Sequence, residues 1–217
     1  MKKIFTILSL SLAITATAQF EGAKQVYEAP NLTAIVNTHK TVAILPFEAK
    51  ITYRKQPKNF NLEANQEQER TMSRNIQSSM YTFLLRKRDN YIVTFQDVEK
   101  TNTLLKKAGM LDKLDEFTKD EIAKALNVDA VLGGRFETEQ TKSEAGAIAS
   151  AVLFGGFGGK TGTGTLTLLV NDAKDGELLW RFFKTMDDSI MSSTDDLIER
   201  RMRKVSRNFP YQLASKK

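Results

Sequence analysis

Short apolar runs, separated by polar and helix-periodic stretches, define the layout of this chain. Residues 42–47 begin as a continuously apolar run, which is typical of a strand covered on both faces. A second such run occupies residues 130–136. Alternating apolar positions then fill residues 165–170 and 178–183, on either side of Asp175-Gly176. Asp-Gly between alternating strands predicts an antiparallel hairpin.

The stretch after the first strand predicts a loop and a long helix. Residues 48–64 are polar and irregular and are expected to form a loop. Asn65 and Gln68 have the spacing of a helix-capping pair, and apolar residues at helical spacing follow between Met72 and Leu84. The helix is expected to run to about Arg88. Residues 91–95 read as a short strand.

Three further helices are predicted from their ends. Asp97 is expected to cap a helix that stops at Gly109, a residue favoured just past a helix C-terminus. Residues 118–121, Thr-Lys-Asp-Glu, form a capping box ahead of the next helix. A last helix over residues 195–208 has an acidic first turn and basic last turns, which complement the helix dipole.

This order of elements predicts an α/β (α+β) domain. We expect a mixed sheet of about five strands, with an antiparallel C-terminal hairpin and flanking helices. The predicted organisation is a signal peptide over 1–18, an N-terminal arm over 19–40, one domain over 41–209 and a tail over 210–217. The domain carries an apolar insertion over 143–164.

The N-terminus has the features of a secretory signal. Lys2 and Lys3 precede an apolar run over residues 4–14, and Ala16-Thr17-Ala18 fits the small-x-small cleavage rule. Cleavage after Ala18 would start the exported chain at Gln19. The apolar run is shorter than the ~20 residues that a membrane-spanning helix needs. An uncleaved N-terminal anchor is the alternative reading.

Charge and cysteine content narrow the function classes. Loss of Lys2 and Lys3 lowers the formal net charge from +6 to +4, a mild and dispersed basicity that does not indicate nucleic-acid binding. The sequence contains no cysteine, which excludes disulfides, thiol catalysis, thiolate metal sites and a lipidated N-terminal cysteine. An exported chain of this kind depends on packing for its stability.

Several motifs with chemical associations have simpler explanations. The glycine-rich residues 155–161 end in Gly-Lys-Thr, but Phe154 stands where a phosphate-binding loop needs its first glycine, and a strand follows instead of a helix. Gly133-Gly134 inside a strand indicates a bulge or a close backbone approach. His39, the single histidine, is expected to be solvated beside Lys40.

Acidic and aromatic clusters are also accounted for by structure. A turn and a helix N-terminus explain Asp187-Asp188 and Asp195-Asp196 without catalysis. Trp180, Phe182 and Phe183 are expected to pack in the core and against a partner rather than to bind a cofactor. The basic residues between Arg200 and Arg207 form a solvated helix face or contact anionic lipid or polymer.

Residues 145–159 are the segment that ordinary surface structure explains least well. This stretch is almost uncharged and rich in Ala, Gly and Phe, and exposed apolar patches mark interaction sites. As a helix it would span about 22 Å, short of the ~30 Å hydrocarbon core of a bilayer. Self-association, partner docking, lying in a membrane surface or forming a buried crossover helix all remain open. The candidate interaction residues are Ile148, Val152, Leu153, Phe154 and Phe157.

At its strands the chain resembles the CsgG-type curli secretion family, with the related TolB N-terminal domain and LpoB-type activators of cell-wall synthases. The resemblance covers roughly residues 40–208. It rests on residues 42–47, residues 126–134 with the sequence LNVDAVLGG, and residues 168–180 with their Asp-Gly turn.

The resemblance implies a non-enzymatic envelope domain that works by association and has no catalytic residues. In the curli channel an insertion between the same strands forms a membrane hairpin, and residues 138–164 fall at the equivalent place. This chain differs in lacking a lipidated cysteine and in having a short connection over residues 185–192, which leaves no room for a second membrane hairpin.

We therefore interpret the chain as an exported, non-enzymatic binding or assembly protein. Its expected place is the periplasm or outer-membrane periphery of a Gram-negative-type bacterium. An envelope protein, a second copy of the chain or a membrane surface would be its partner, with no cofactor, metal, nucleic acid or small-molecule substrate. A CsgG-like channel subunit is the alternative, and a carboxylate-based hydrolase using Asp187 and Asp188 is a third hypothesis.

Overall fold

A computed structural model describes residues 24–140, 161–187, 205 and 208–213. Within these residues seven strands form one mixed sheet. They are β1 Lys24–Glu28, β2 Thr41–Ile44, β3 Glu48–Tyr53, β4 Thr94–Phe95, β5 Ala130–Gln140, β6 Thr161–Asp172 and β7 Leu178–Asp187. The helices are α1 Leu32–Val36, α2 Leu62–Arg86, α3 Val98–Lys107 and α4 Lys119–Leu126, with 3₁₀ turns at Arg88–Asn90 and Leu114–Glu116.

The sheet order is β1-β7-β6-β5-β2-β4, and β3 also pairs with β5. β5, β6, β7 and β1 are joined antiparallel, whereas β2, β3 and β4 join their neighbours in parallel. The long strand β5 therefore pairs with β2 along its first part and with β3 along its second. The predicted fold class, a mixed sheet with a C-terminal antiparallel hairpin and flanking helices, is confirmed.

The sheet has one largely covered side, which we call the core face. α1, α2 and the described residues near the C-terminus pack on this side, where Trp180, Phe182, Ile76 and Phe83 are almost completely buried. Burial of each such large apolar side chain stabilises the fold by about 1.5–3 kcal/mol. Trp180 stacks on Phe182 with ring centroids 6.0 Å apart, so the predicted core role of both residues is confirmed.

The opposite side, which we call the open face, is only partly covered. α3 and α4 pack over β2 and the start of β5, where Leu45, Leu105, Ile122 and Val131 form a second, smaller core cluster. The open face continues across β5, β6 and β7 beyond these helices. The same sheet therefore stabilises the fold through one side and exposes part of the other.

Local capping signals predicted α3 and α4 correctly. The Asp97 carboxylate accepts hydrogen bonds from the backbone N–H groups of Glu99 and Lys100, both at 3.0 Å. Thr118 and Glu121 form the expected capping box. Gly109 follows α3 with a φ of +70°, and Gly176 in the hairpin turn has a φ of +75°.

The predicted cap of the long helix was wrong. α2 begins at Leu62, and the side chain of Asn61 caps it by accepting from the backbone N–H of Ala64 at 2.9 Å. Asn65 is instead buried inside the helix, where its amide reaches the carbonyl of Ile51 and the carboxylate of Glu69. Both asparagines suit a cap, and only the tertiary contact to β3 distinguishes them.

Two strands were not anticipated. β3 lies in residues 48–64, which we expected to be a loop, because it pairs with β5 and packs beside α2. β1 and α1 lie in the predicted arm over residues 19–40, and β1 extends the sheet beyond β7. The sheet accordingly has more strands than predicted. Residues 161–164, which we assigned to the end of the insertion, belong to β6.

Candidate interaction surface

The outer strand β1 forms one edge of the sheet. All five of its residues are exposed, including Val26 at 37% and Tyr27 at 47%. Val26 lies opposite Phe182 of β7 and so belongs to the core face, whereas Tyr27 lies opposite Arg181 and belongs to the open face. Among the residues that the structure describes, β7 is the one strand that pairs with β1. An edge of this kind can accept a further strand.

The edge formed by β3 is closed by side chains of α2. The Glu69 carboxylate accepts from the backbone N–H of Ile51 at 2.9 Å, and the Asn65 amide donates to the Ile51 carbonyl at 3.4 Å. The Tyr53 hydroxyl donates to Asn65 at 3.1 Å, and Lys50 lies 3.5 Å from Glu69. These contacts occupy main-chain groups that an incoming strand would need. The β1 and β3 edges of the sheet therefore differ in their capacity to pair.

An open groove of about 1780 Å³ runs over the open face. It passes between α2 and α3 and continues over β5, β6 and β7. Its lining combines apolar, cationic and anionic side chains, among them Leu169, Phe183, Arg181, Arg135 and Glu137. A mixed lining of this kind suits a polypeptide or a polar polymer better than a small apolar ligand.

Ionic contacts organise the groove floor. Arg135 donates from Nε to Glu48 at 2.9 Å, and its Nη1 lies 3.3 Å from Glu137. The hydrogen bond with Glu48 is the main reason that the pKa of Arg135 is raised. On β7 the Arg181 guanidinium lies 5.6 Å from the ring centroid of Phe183. The predicted partner-face role of Phe183 remains a prediction, and its ring lies half-buried on the open face.

The junction of β5 and β6 fixes where the apolar segment leaves the sheet. The two strands are neighbours in antiparallel pairing, and Gln140 is the register partner of Thr161 at their ends. The segment over 141–160 therefore connects two adjacent paired positions. The candidate interaction residues lie in it, outside the described part of the chain: Ile148, Val152, Leu153, Phe154 and Phe157.

His39 is buried, so the expectation that it is solvated was wrong. Its Nδ1 lies 2.8 Å from the Tyr211 hydroxyl, and its Nε2 lies 3.6 Å from the Asp172 carboxylate. Asp129, nearby, accepts from the backbone N–H groups of Lys40 and Thr41 at 2.8 and 2.9 Å. The error arose because Tyr211 and Asp172 are remote in sequence.

Electrostatics in this cluster follow from burial and hydrogen bonding. Burial raises the pKa of Tyr211, and the charges of Asp172 and Asp129 raise it further. Burial would raise the pKa of Asp129, but the two backbone hydrogen bonds and the charges of His39 and Lys40 outweigh burial and lower it. The cluster joins the start of β2 to the end of β6 and to the C-terminal region.

Other chemical candidates are placed as follows. In the described stretches, no three acidic or histidine side chains are grouped to hold a metal ion. Asp187 ends β7 opposite Thr163, rather than lying in the predicted turn, whereas Asp188, Asp195 and Asp196 lie outside the described residues. The described helices include none with the length and apolar composition to span a bilayer.

No family model and no curated protein matches the sequence. Solved structures with a similar chain course include PelC, as a dodecamer, from Paraburkholderia phytofirmans, at 15% identity and a TM-score of 0.43, with 89% of this chain and 99% of that chain covered. Lipoprotein GNA1162 from Neisseria meningitidis matches at 12% identity and a TM-score of 0.43, with 80% of this chain and 99% of that chain covered. The LpoB C-terminal domain from Escherichia coli matches at 11% identity and a TM-score of 0.35, with 73% of this chain and 94% of that chain covered.

Likenesses at this level transfer neither function nor partner to this chain. The interaction surface is therefore inferred from its own residues. Sequence reasoning identified the apolar segment but not the exposed strand β1, whose five residues lack the alternation that marks a strand with one buried face. The Val26-Tyr27 pair, a β-branched and an aromatic residue, was the available signal.

Proposed function

We propose that this chain is an exported cell-envelope protein that binds other proteins or a membrane surface and catalyses no reaction. The observation that carries the proposal is the connection between β5 and β6. Adjacent antiparallel strands need about 2–5 connecting residues, and longer connections without such a need are commonly functional. Here twenty residues, 141–160, join Gln140 to Thr161, and fifteen of them are the nearly uncharged run 145–159.

The position of this connection also argues against a buried crossover helix. A crossover helix links strands that are parallel or separated, and β5 and β6 are neither. We therefore assign the apolar residues of the segment to contact with a partner. Ile148, Val152, Leu153, Phe154 and Phe157 are the proposed contact residues, and the groove on the open face and the edge strand β1 offer further contact area.

Replacing residues 141–160 with Asn-Gly tests this assignment while leaving the sheet intact, because a two-residue turn closes a hairpin between paired ends. We expect the exported protein to lose its association with envelope fractions and with vesicles in flotation assays. A variant with serine at the five proposed contact residues should behave the same way, and Ser150→Ala should behave like the parent. Unchanged association in the shortened protein would refute the role of the segment.

Export is tested separately. We expect the protein in the cell envelope to start at Gln19, which intact mass measurement would show. A chain that retains residues 1–18 in the cytoplasmic fraction would contradict export, whatever the segment does.

A CsgG-like channel subunit is the alternative proposal, supported by the position of the segment between these two strands. The two proposals differ in the assembly expected in the outer membrane. Rings that require detergent for their release would support the channel subunit. A protein released by osmotic shock without detergent would exclude it. The third hypothesis, a carboxylate-based hydrolase, requires that changing Asp187 and Asp188 to Asn abolishes an assayed activity, and we expect no such loss.

A further inference from the structure

The edge strand β1 has a defined set of main-chain groups directed outward. The backbone N–H of Ala29 donates to the Leu179 carbonyl at 2.8 Å, one position beyond the pair Glu28 and Trp180. Residues in an antiparallel pair alternate between those that exchange hydrogen bonds with the neighbour and those that do not. Tyr27 and Gln25 therefore direct their main-chain groups toward β7.

The other three residues of β1, Lys24, Val26 and Glu28, direct their main-chain N–H and C=O groups away from β7. These groups lie along the outer edge of the sheet formed by the described residues, in a strand whose residues are all exposed. They are spaced two residues apart, which is the spacing at which one strand offers hydrogen bonds to another.

The sequence of β1 is complementary to itself when read in the opposite direction. An antiparallel alignment centred on Val26 places Lys24 opposite Glu28 of a second copy, and Glu28 opposite its Lys24. Val26 then meets Val26, and Gln25 meets Tyr27. Opposite charges and β-branched residues in directly opposed positions each favour strand pairing by about 0.2–1 kcal/mol.

The alignment also matches the direction of the main-chain groups. The opposed pairs Lys24–Glu28, Val26–Val26 and Glu28–Lys24 are those whose N–H and C=O groups face outward. Two copies related by a two-fold axis would therefore form about six main-chain hydrogen bonds, two for each such pair. A register shifted by one residue would lose both the charge pairing and the hydrogen-bonding match.

We propose that two copies of this chain associate through β1, antiparallel and centred on Val26, so that their sheets become one continuous sheet. The inference rests on the proposed function, because it names the partner of the sheet edge: a second copy of this chain. The edge at β3 is closed, because Glu69 and Asn65 occupy the main chain of Ile51. The edge at β4 is only two residues long, whereas β1 offers five. A two-fold contact of this kind closes after two copies.

Engineered cysteines test the register, since the natural sequence contains none. In the proposed pairing the two copies of residue 26 lie with Cα atoms about 5.5 Å apart, within the range that a disulfide bridges. The two copies of residue 25 lie about 8 Å apart, two residues offset, and outside that range.

We therefore expect Val26→Cys, in the exported protein under mild oxidation, to form a crosslinked dimer at least about tenfold faster than the matched control Gln25→Cys. Equal rates for the two variants would overturn the register. Absence of dimer in both would overturn the pairing.

Charge reversal tests the pairing without a crosslink. Lys24→Glu would oppose Glu28 of the second copy at two places, and we expect the dimer to dissociate about fivefold more readily in sedimentation velocity. The mutation places a carboxylate opposite Lys184 of β7, so β1 should stay in its own sheet. Adding Glu28→Lys re-creates both ion pairs and should restore the parental dissociation constant. A double variant that is as weak as the single one would overturn the proposal.

The outcome is distinguishable from that of the proposed function. The β1 variants leave residues 141–160 unchanged, and the shortened hairpin leaves β1 unchanged. If the protein associates with vesicles but stays monomeric at all concentrations, the β1 dimer alone is overturned. A crosslinked dimer without envelope association would remove the role of the apolar segment alone.

Discussion

The imidazole of His39 and the hydroxyl of Tyr211 lie 2.8 Å apart inside the core, although 172 residues separate them in the sequence. A hydroxyl can donate or accept, so the contact is satisfied whether or not the facing ring nitrogen carries a proton. The pair attaches the described C-terminal residues to the segment that leads into β2.

Tyr211→Phe is expected to destabilise the protein by about 1–2 kcal/mol, because it leaves a buried ring nitrogen of His39 without its hydroxyl partner. The change keeps the aromatic packing of residue 211 against Phe209. Urea unfolding measures the effect. Tyr27→Phe, on the exposed strand β1, is the matched control and should stay within about 0.5 kcal/mol of the parent. Equal effects of the two changes would show that the His39 contact contributes nothing.

Asp129 predicts a loss of stability in acid. Its pKa is lowered in the folded protein, so the unfolded chain binds its proton more readily and stability falls as pH falls. The contribution is fully present above the ordinary pKa of 3.8 and is lost as the pH drops through the lower, folded value.

Asp129→Asn should therefore lower stability at neutral pH by about 1–2 kcal/mol, since a charged acceptor of two backbone hydrogen bonds becomes neutral. The difference between parent and variant should shrink as pH falls below 3.8. Chemical unfolding from pH 7 to 2.5 measures both effects. Asp112→Asn, at an exposed turn position, is the control. A parent–variant difference that stays constant down to pH 2.5 would contradict the assignment.

We expect the carboxylate of Glu69 to hold the main chain of β3 at the edge of the sheet. Glu69→Ala removes the acceptor of the Ile51 N–H and a partner of Asn65, and should cost about 1–3 kcal/mol. Glu69→Gln keeps a side-chain acceptor and should lose less. Glu67→Ala, which removes an exposed ion pair with Arg70 on the same helix, should change stability by no more than about 0.5 kcal/mol. Hydrogen exchange at Ile51 should accelerate only in Glu69→Ala, and equal exchange in all three variants would argue against an edge held by this residue.

The two adjacent glycines of β5 should respond differently to alanine. A Cβ at Gly134 would lie 2.2 Å from the Thr167 carbonyl oxygen and 2.8 Å from the ring of Phe47, so Gly134→Ala should cost about 3 kcal/mol or more. A Cβ at Gly133 would meet nothing closer than Leu45 at 3.7 Å, an ordinary contact. Gly133→Ala should therefore be close to neutral in thermal unfolding. A similar loss in both variants would contradict the close approach at Gly134.

The sequence predicted features that short-range chemistry determines. The Asp97 cap, the capping box at Thr118 and the turn at Gly176 depend on residues within a few positions of each other, and all three are present. The close approach expected at Gly133-Gly134 is confirmed at Gly134. The caps and the turn follow from neighbouring residues alone. The close approach at Gly134 is made with Thr167 and Phe47, which are distant in sequence, and the glycines themselves were the local signal for it.

Long-range contacts account for the features that sequence reasoning missed. β3 is a polar strand whose outer main chain is bonded by Glu69 and Asn65, and nothing in residues 48–53 shows that a helix will lie beside them. His39 is enclosed by Tyr211 and Asp172, which are distant in sequence. Of the candidate interaction surface, sequence predicted the apolar segment, whereas the β1 edge required the fold.

The register partnership of Gln140 with Thr161 has a consequence for how such a chain can diversify. The entropy of closing a loop grows only slowly with its length, so the connection between these two positions can lengthen or shorten with little effect on the rest of the fold. Related chains can therefore carry connections of different length and sequence between these two positions, and so contact different surfaces, while the sheet and its core packing stay the same.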